Sequence, residues 1–179
     1  LWTNAASRPT QDASTPTIYG ALASAPPGAV IEVPLQYQPI TIATAQQQFY
    51  QLTHGHPLLN TNQLIRRPDL LAFRDYTIDN SFLLAILDLG RPSWPITVQD
   101  QDIQALIDDG FRYVVVHDRV AGDQTKLAGE LTRADLVNEG ARGMLTELLG
   151  PAAMTSDTTH IYDLTLAQLK EGRSQTFTD

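Results

Sequence analysis

Short β-branched runs alternate along the chain with stretches that place an apolar residue every three or four positions. Ala29-Val-Ile-Glu-Val-Pro-Leu35 follows the breaker Pro26-Pro27-Gly28 and reads as a strand. Pro34 has no N–H for a ladder, so the strand should end near it. Phe111 to His117 (FRYVVVH) is the clearest strand, and its unbroken apolar run predicts burial on both faces. Thr17 to Ala25 predicts a short helix. Thr41 to His54 predicts a longer one, stopped by Gly55. Pro57 to Arg67 reads as irregular or as a short strand. Asp69 to Leu89 reads as a helical region divisible into two pieces. Within it, Ile78, Phe82, Ile86 and Leu89 give the spacing of one buried stripe.

Further on, Thr97 reads as an N-cap with Asp100 at N3, and Ile103, Leu106 and Ile107 as the inner face of the helix that follows. Gly110 is its stop. Residues 118–131 read as a polar loop, and Thr132 caps a helix running to about Leu149. Gly140 and Gly143 inside that helix each cost about 1 kcal/mol against Ala, which points to close packing against a neighbour. Gly150-Pro151 ends it. Ala152 to Thr155 and Thr159 to Leu164, flanking Ser-Asp-Thr, predict a hairpin. The order strand, helix, helix, helix, strand, helix, hairpin predicts an α/β fold, a small mixed sheet packed with helices and carrying a C-terminal β-hairpin. Residues 1–16, rich in Ser, Thr, Asn, Ala and Pro, read as a linker or extended arm. Residues 17–166 read as a single α/β soluble domain, and 167–179 as a polar tail that frays.

Composition narrows the function classes. The 179 residues suit one domain, and 42% hydrophobic content is enough to bury a core. A net charge of −8 and a pI near 4.8 repel phosphate backbones, so nucleic acid is not an expected partner. The absence of Cys excludes disulfides, thiolate zinc sites and cysteine nucleophiles. The most apolar run, Ser81 to Leu89, is far shorter than the roughly 20 residues a bilayer requires. Beginning at Leu1-Trp2 rather than Met suits a processed product. Glycine-rich phosphate loops, the dinucleotide fingerprint, G-x-S-x-G and H-E-x-x-H are all missing. No cofactor is expected and no catalytic residue is nominated.

Candidate chemistry concentrates in Gln46 to Arg67. On a helix, Gln47, Tyr50 and His54 share a face, with His56 and Asn60 in the next loop and Arg66-Arg67 closing the segment. Tyr50, His54, His56 and Asn60 offer directional hydrogen bonds, and Arg66 and Arg67 suit carboxylate or phosphate. These six are the candidate substrate-binding residues. The competing reading is a partly exposed helix followed by a polar turn. His54-Gly55-His56 falls short of the three or four ligands a metal needs, and His117 and His160 can join only through the fold, so no metal site is expected. Glu32, in an apolar strand, needs a partner if it faces the core, with Arg66 or Arg67 the candidates for a structural ion pair. Otherwise it faces water. His117-Asp118-Arg119 lies at a strand end, where α/β sheets gather ligands, but reads first as the start of a polar loop. Asp108-Asp109 reads as a solvated helix end.

Four separated blocks carry a resemblance. They are Ala29-Val-Ile-Glu-Val-Pro-Leu35; Tyr50-Gln-Leu-Thr-His-Gly-His-Pro57 with Arg66-Arg67; Gly110 to His117; and Leu148-Leu-Gly-Pro151 with Ile161-Tyr-Asp-Leu164. In order they resemble the "VLEVPL", "YYQT-HGKP", "GVRYVVVH" and "FG-P"/"VYDL" segments of the C-terminal soluble domain of bacterial polytopic membrane proteins of the GT-C glycosyltransferase type. The resemblance spans about residues 28–164. His56 stands where the family usually has Lys, and Asn60-Thr61-Asn62 replaces a Gly-containing turn. It implies a parent with many membrane helices before Leu1, and a domain on the extracytoplasmic face of the bacterial membrane. The implied reaction is sugar transfer from a polyprenyl-phosphate donor, catalysed by an acidic residue in a loop between early membrane helices, which this chain lacks. The expected partners are the membrane-embedded part of the same parent chain and a glycan or lipid-linked sugar. A free-standing extracytoplasmic binding module is the alternative. A self-contained enzyme using Glu32, His54, His117 or Asp118 ranks behind both.

Overall fold

The computed structural model describes residues 15–33, 35, 49–59, 67–88, 95–117 and 133–177. The elements are α1 (Ile18–Ala23), β1 (Ala29–Val33), a helix over 49–54 (α2), β2 (Leu58–Leu59), α3 (Arg67–Asp79), α4 (Ser81–Asp88), β3 (Ile96–Gln99), α5 (Asp100–Asp108), β4 (Phe111–His117), α6 (Arg133–Leu149), β5 (Met154–Thr155), β6 (Thr159–Asp163) and β7 (Ser174–Phe177). Five strands form one mixed sheet in the order β2-β1-β4-β6-β5. β2, β1 and β4 run parallel, and β6 and β5 pair antiparallel. The α/β architecture and the β5–β6 hairpin are those the hydrophobic pattern predicts.

Side-chain alternation sorts the core into two layers. Ile31, Val33, Val114 and Val116 face α4, α5 and α6, where Phe82, Ile86, Ile103, Leu106 and Leu145 are buried. Val30, Tyr113, Val115 and Ile161 face the other way, under Ile18, Tyr19 and Leu22 of α1 and Tyr50 of α2. From β1 the chain crosses by α2 to β2 on one side. It then returns past β1 by α3, α4 and α5 to β4 on the other. The two connections cover opposite faces, so β1 and β4 flank a topological switch point, where α/β sheets place ligands beyond their strand ends.

One irregularity fixes the entry to this sheet. The β1–β4 register slips between Ala29 and Val30, leaving Arg112 as the extra residue. Gly28 lies against it, so that a Cβ there would fall 2.3 Å from Arg112 Cβ. Arg112 then pairs with Asp163 at 3.1 Å.

Several local expectations yield to long-range contacts. Thr97 is no N-cap. It sits in β3, its hydroxyl 3.0 Å from that of Thr176, and the helix begins at Asp100. β-branched Ile96-Thr97-Val98 finds a strand partner in Ser174–Phe177, inside the segment read as a fraying tail. Asp100 pins that strand: it is buried, and its Oδ2 accepts from Lys170 N (2.7 Å) and Arg173 Nε (2.6 Å). The stripe from Ile78 to Ile86 breaks in phase, because Asn80 ends α3 and caps α4. Asn80 Oδ1 accepts from Phe82 N and Leu83 N at 3.1 Å each. Phe82 and Ile86 are therefore buried while Ile78 is 46% exposed. Gly140 and Gly143 are exposed, and a Cβ at Gly143 meets nothing within 4 Å, so close packing does not explain it. Gly55, Gly110 and Gly150 do close their helices, at φ of 72°, 91° and 84°. Pro34 and the stretches 1–14, 36–48 (most of the helix expected over Thr41 to His54), 60–66, 89–94, 118–132 and 178–179 lie outside the described residues.

Candidate functional site

The polar residues gather on the α1/α2 face, where β1 and β4 end. Alternation from Val30 turns Glu32 to this face, and at 2% exposure its carboxylate needs partners. Of the two arginines the sequence offers as partners, Arg66 lies outside the described residues, and Arg67 opens α3 with its side chain undescribed. Among the described residues His117, the last residue of β4, places Nε2 3.1 Å from Glu32 Oε2. Tyr19 closes the triangle, donating its hydroxyl to Glu32 Oε1 at 3.3 Å and lying 3.1 Å from His117 Nε2. His117 is thus the half-buried end of β4, facing Glu32 and Tyr19, while Asp118 and Arg119 lie outside the described residues. Thr159 Oγ1, 3.5 Å from His117 Nδ1, is at the outer limit of a hydrogen bond. Burial, reinforced by Glu32 and Tyr50, pushes the Tyr19 hydroxyl far above its ordinary range, so it remains a neutral donor.

α2 lays a second shell over Tyr19. Tyr50 stacks on it at 4.5 Å between ring centroids, and His54 at 5.6 Å. α2 then stops at Gly55, whose positive φ folds the chain back so that His56 N donates to His54 Nδ1 at 3.1 Å. That leaves the His54 proton on Nε2, which is buried and has no hydrogen-bond partner among the described residues. Burial lowers the His54 pKa and His56 adds to the lowering, against an opposing pull from Glu32. His56 sits below, its ring 5.6 Å from His54 and edge-on to Tyr113.

Three of the six nominated residues, Tyr50, His54 and His56, therefore come together, but as an interior layer at 6%, 4% and 7% exposure. Asn60 and Arg66 lie outside the described residues. The nomination missed Tyr19, Glu32 and His117 as binding partners of one another. Glu32 in an apolar strand was the usable signal, and Tyr19 carried none. Among the described residues no group of three or more His, Asp or Glu is placed to hold a metal ion. Glu32 and His117 have the chemistry of an acid–base pair. A concave surface lies elsewhere among the described residues. A groove of about 770 Å³ runs between α6 and β5–β6, lined by Glu139, Arg142, Thr146, Glu147, His160 and Tyr162. Tyr162 builds its floor, its hydroxyl 3.1 Å from Thr146 Oγ1 and donating to Arg142 O at 3.3 Å.

Comparison of the chain with protein families, with curated proteins and with solved structures finds no match.

Proposed function

We propose that this chain is an accessory extracytoplasmic domain of a GT-C-type membrane glycosyltransferase, helping to seat the acceptor or to assemble the parent, while the chemistry belongs to a membrane part. One observation carries the reading. The four resembling blocks, scattered in sequence, supply the neighbouring strands β1, β4 and β6, together with α2, the turn that closes it and the end of α6. Glu32 is buried and His117 half-buried, which argues in the same direction, since a general acid or base must reach its substrate. Among the described residues no helix is long and apolar enough to cross a membrane. The membrane part would meet the outer face of α2, where Phe49 is 45% and Leu52 82% exposed.

The burial of His54 makes its replacement a test of folding rather than of docking. Leu52→Glu is the cleaner perturbation. It should leave the stability of this domain unchanged and impair sugar transfer by the full-length protein. Unimpaired transfer, or a parent gene without apolar runs of about 20 residues, overturns the proposal. A second reading, a free-standing ligand-binding module, is favoured by the groove, which α6, β5 and β6 complete without another chain. Filling it by Gly143→Leu should then abolish glycan binding by the isolated domain. Glycan binding that survives this substitution removes the groove from consideration.

A further inference from the structure

His56 is bonded in a way that specifies its protonation. Its Nδ1 lies 2.9 Å from Gly28 O, and its Nε2 lies 2.9 Å from Leu22 O. Both partners are backbone carbonyl oxygens, which only accept. A neutral imidazole has one N–H and would turn its other lone pair against a carbonyl oxygen at contact distance. Only the imidazolium donates to both. Leu22 lies in the last turn of α1, where carbonyls carry negative partial charge and favour a cation.

The two contacts bridge three pieces of chain. Leu22 and Gly28 bracket the connector from α1 to β1, and His56 belongs to the turn that leads into β2. The same junction carries the Val30 N to Pro57 O bond at 2.7 Å. α1 is also the helix that brings Tyr19 over Glu32 and His117.

We propose that His56 is a proton-controlled latch: as an imidazolium it fastens the α1–β1 connector to the α2–β2 turn, and loss of one proton on raising the pH frees one carbonyl and loosens α1 from the Glu32–His117 pair. The charged and titratable groups around it are few. From the α2 end, His54 stacks on it, its charged form disfavoured by burial. From β4, Tyr113 meets it edge-on, with the Arg112 guanidinium 5.5 Å from the Tyr113 ring. From α1 and β1, Tyr19 and Glu32 reach it only through His54. Among the described residues no carboxylate hydrogen-bonds to His56, so its proton answers to the two carbonyls and to solvent pH.

The experiment is long-range proton–nitrogen NMR of the histidine rings in the intact chain, titrated from about pH 5 to 8, with amide exchange of α1 followed alongside. At the acid end, both His56 nitrogens should resonate as protonated nitrogens. As one proton leaves, the protection factors at Leu22 and Ala25 should fall about tenfold or more, the loss of one charge-assisted hydrogen bond. His56→Gln should abolish the pH-dependence of that protection. A single unprotonated His56 nitrogen throughout the titration overturns the proposal. So does α1 protection that stays constant while His56 titrates, or a ring that never titrates in the folded chain. The wild-type spectra decide among these even if the variant fails to fold.

Discussion

Replacing Glu32 by Leu keeps the volume of the side chain roughly constant and removes two acceptors from the interior. Tyr19 loses its 3.3 Å acceptor and His117 its 3.1 Å partner, both in a site where Glu32 is 2% exposed. Each donor left without its buried acceptor costs about 1–3 kcal/mol. The two together come to roughly 2–6 kcal/mol, a large part of the stability of a domain this size. Glu32→Gln keeps one acceptor and should cost less than half as much. Adding His117→Leu to Glu32→Leu removes the orphaned imidazole as well, so the double variant should be more stable than the sum of its parts by about 2 kcal/mol. Urea titration at neutral pH measures all four corners of this cycle, read as midpoints at constant m-value. If Glu32→Leu shifts stability by less than about 1 kcal/mol, or if the two substitutions simply add, the triangle is not a coupled buried network. The account of this face would then be wrong.

Four further outcomes test other parts of the structure. His54 has a folded pKa below its unfolded value of about 6.5. Its contribution to stability is therefore present above that value and lost as pH falls through the folded pKa; His54→Phe should flatten this acid limb in urea midpoints taken across it. Asp100→Ala strips Lys170 N and Arg173 Nε of their acceptor. It should cost about 2–3 kcal/mol and selectively speed amide exchange in β7. Gly28→Ala drives a Cβ into that of Arg112, a backbone-anchored atom that cannot swing away. It should lower stability by about 1–3 kcal/mol in thermal unfolding, whereas a neutral result would mean the β1–β4 bulge can relax. Gly143→Ala meets open space on an exposed helix face. It should raise stability by about 1 kcal/mol.

The chain itself determined the elements whose signals are local. A β-branched run bounded by Pro and Gly made β1, and FRYVVVH made β4. Gly55, Gly110 and Gly150 ended their helices because a positive φ is costly for any other residue. The concentration of polar aromatic chemistry around Tyr50, His54 and His56 was legible for the same reason, since helical spacing puts such residues on one face. What those residues face was not legible. Tyr19 meets His117 across 98 positions, His56 meets Leu22 across 34, and Asp100 meets Arg173 across 73. Thr97 looked like a cap because capping is read within four residues, while its strand partner Thr176 lies 79 positions away. Spacing assigns a side chain to a face of its own element. Whether that face meets solvent, a ligand or a buried carboxylate depends on which strands become neighbours, and only the folded sheet decides that, by burying Glu32 beside the one histidine its register brings within reach.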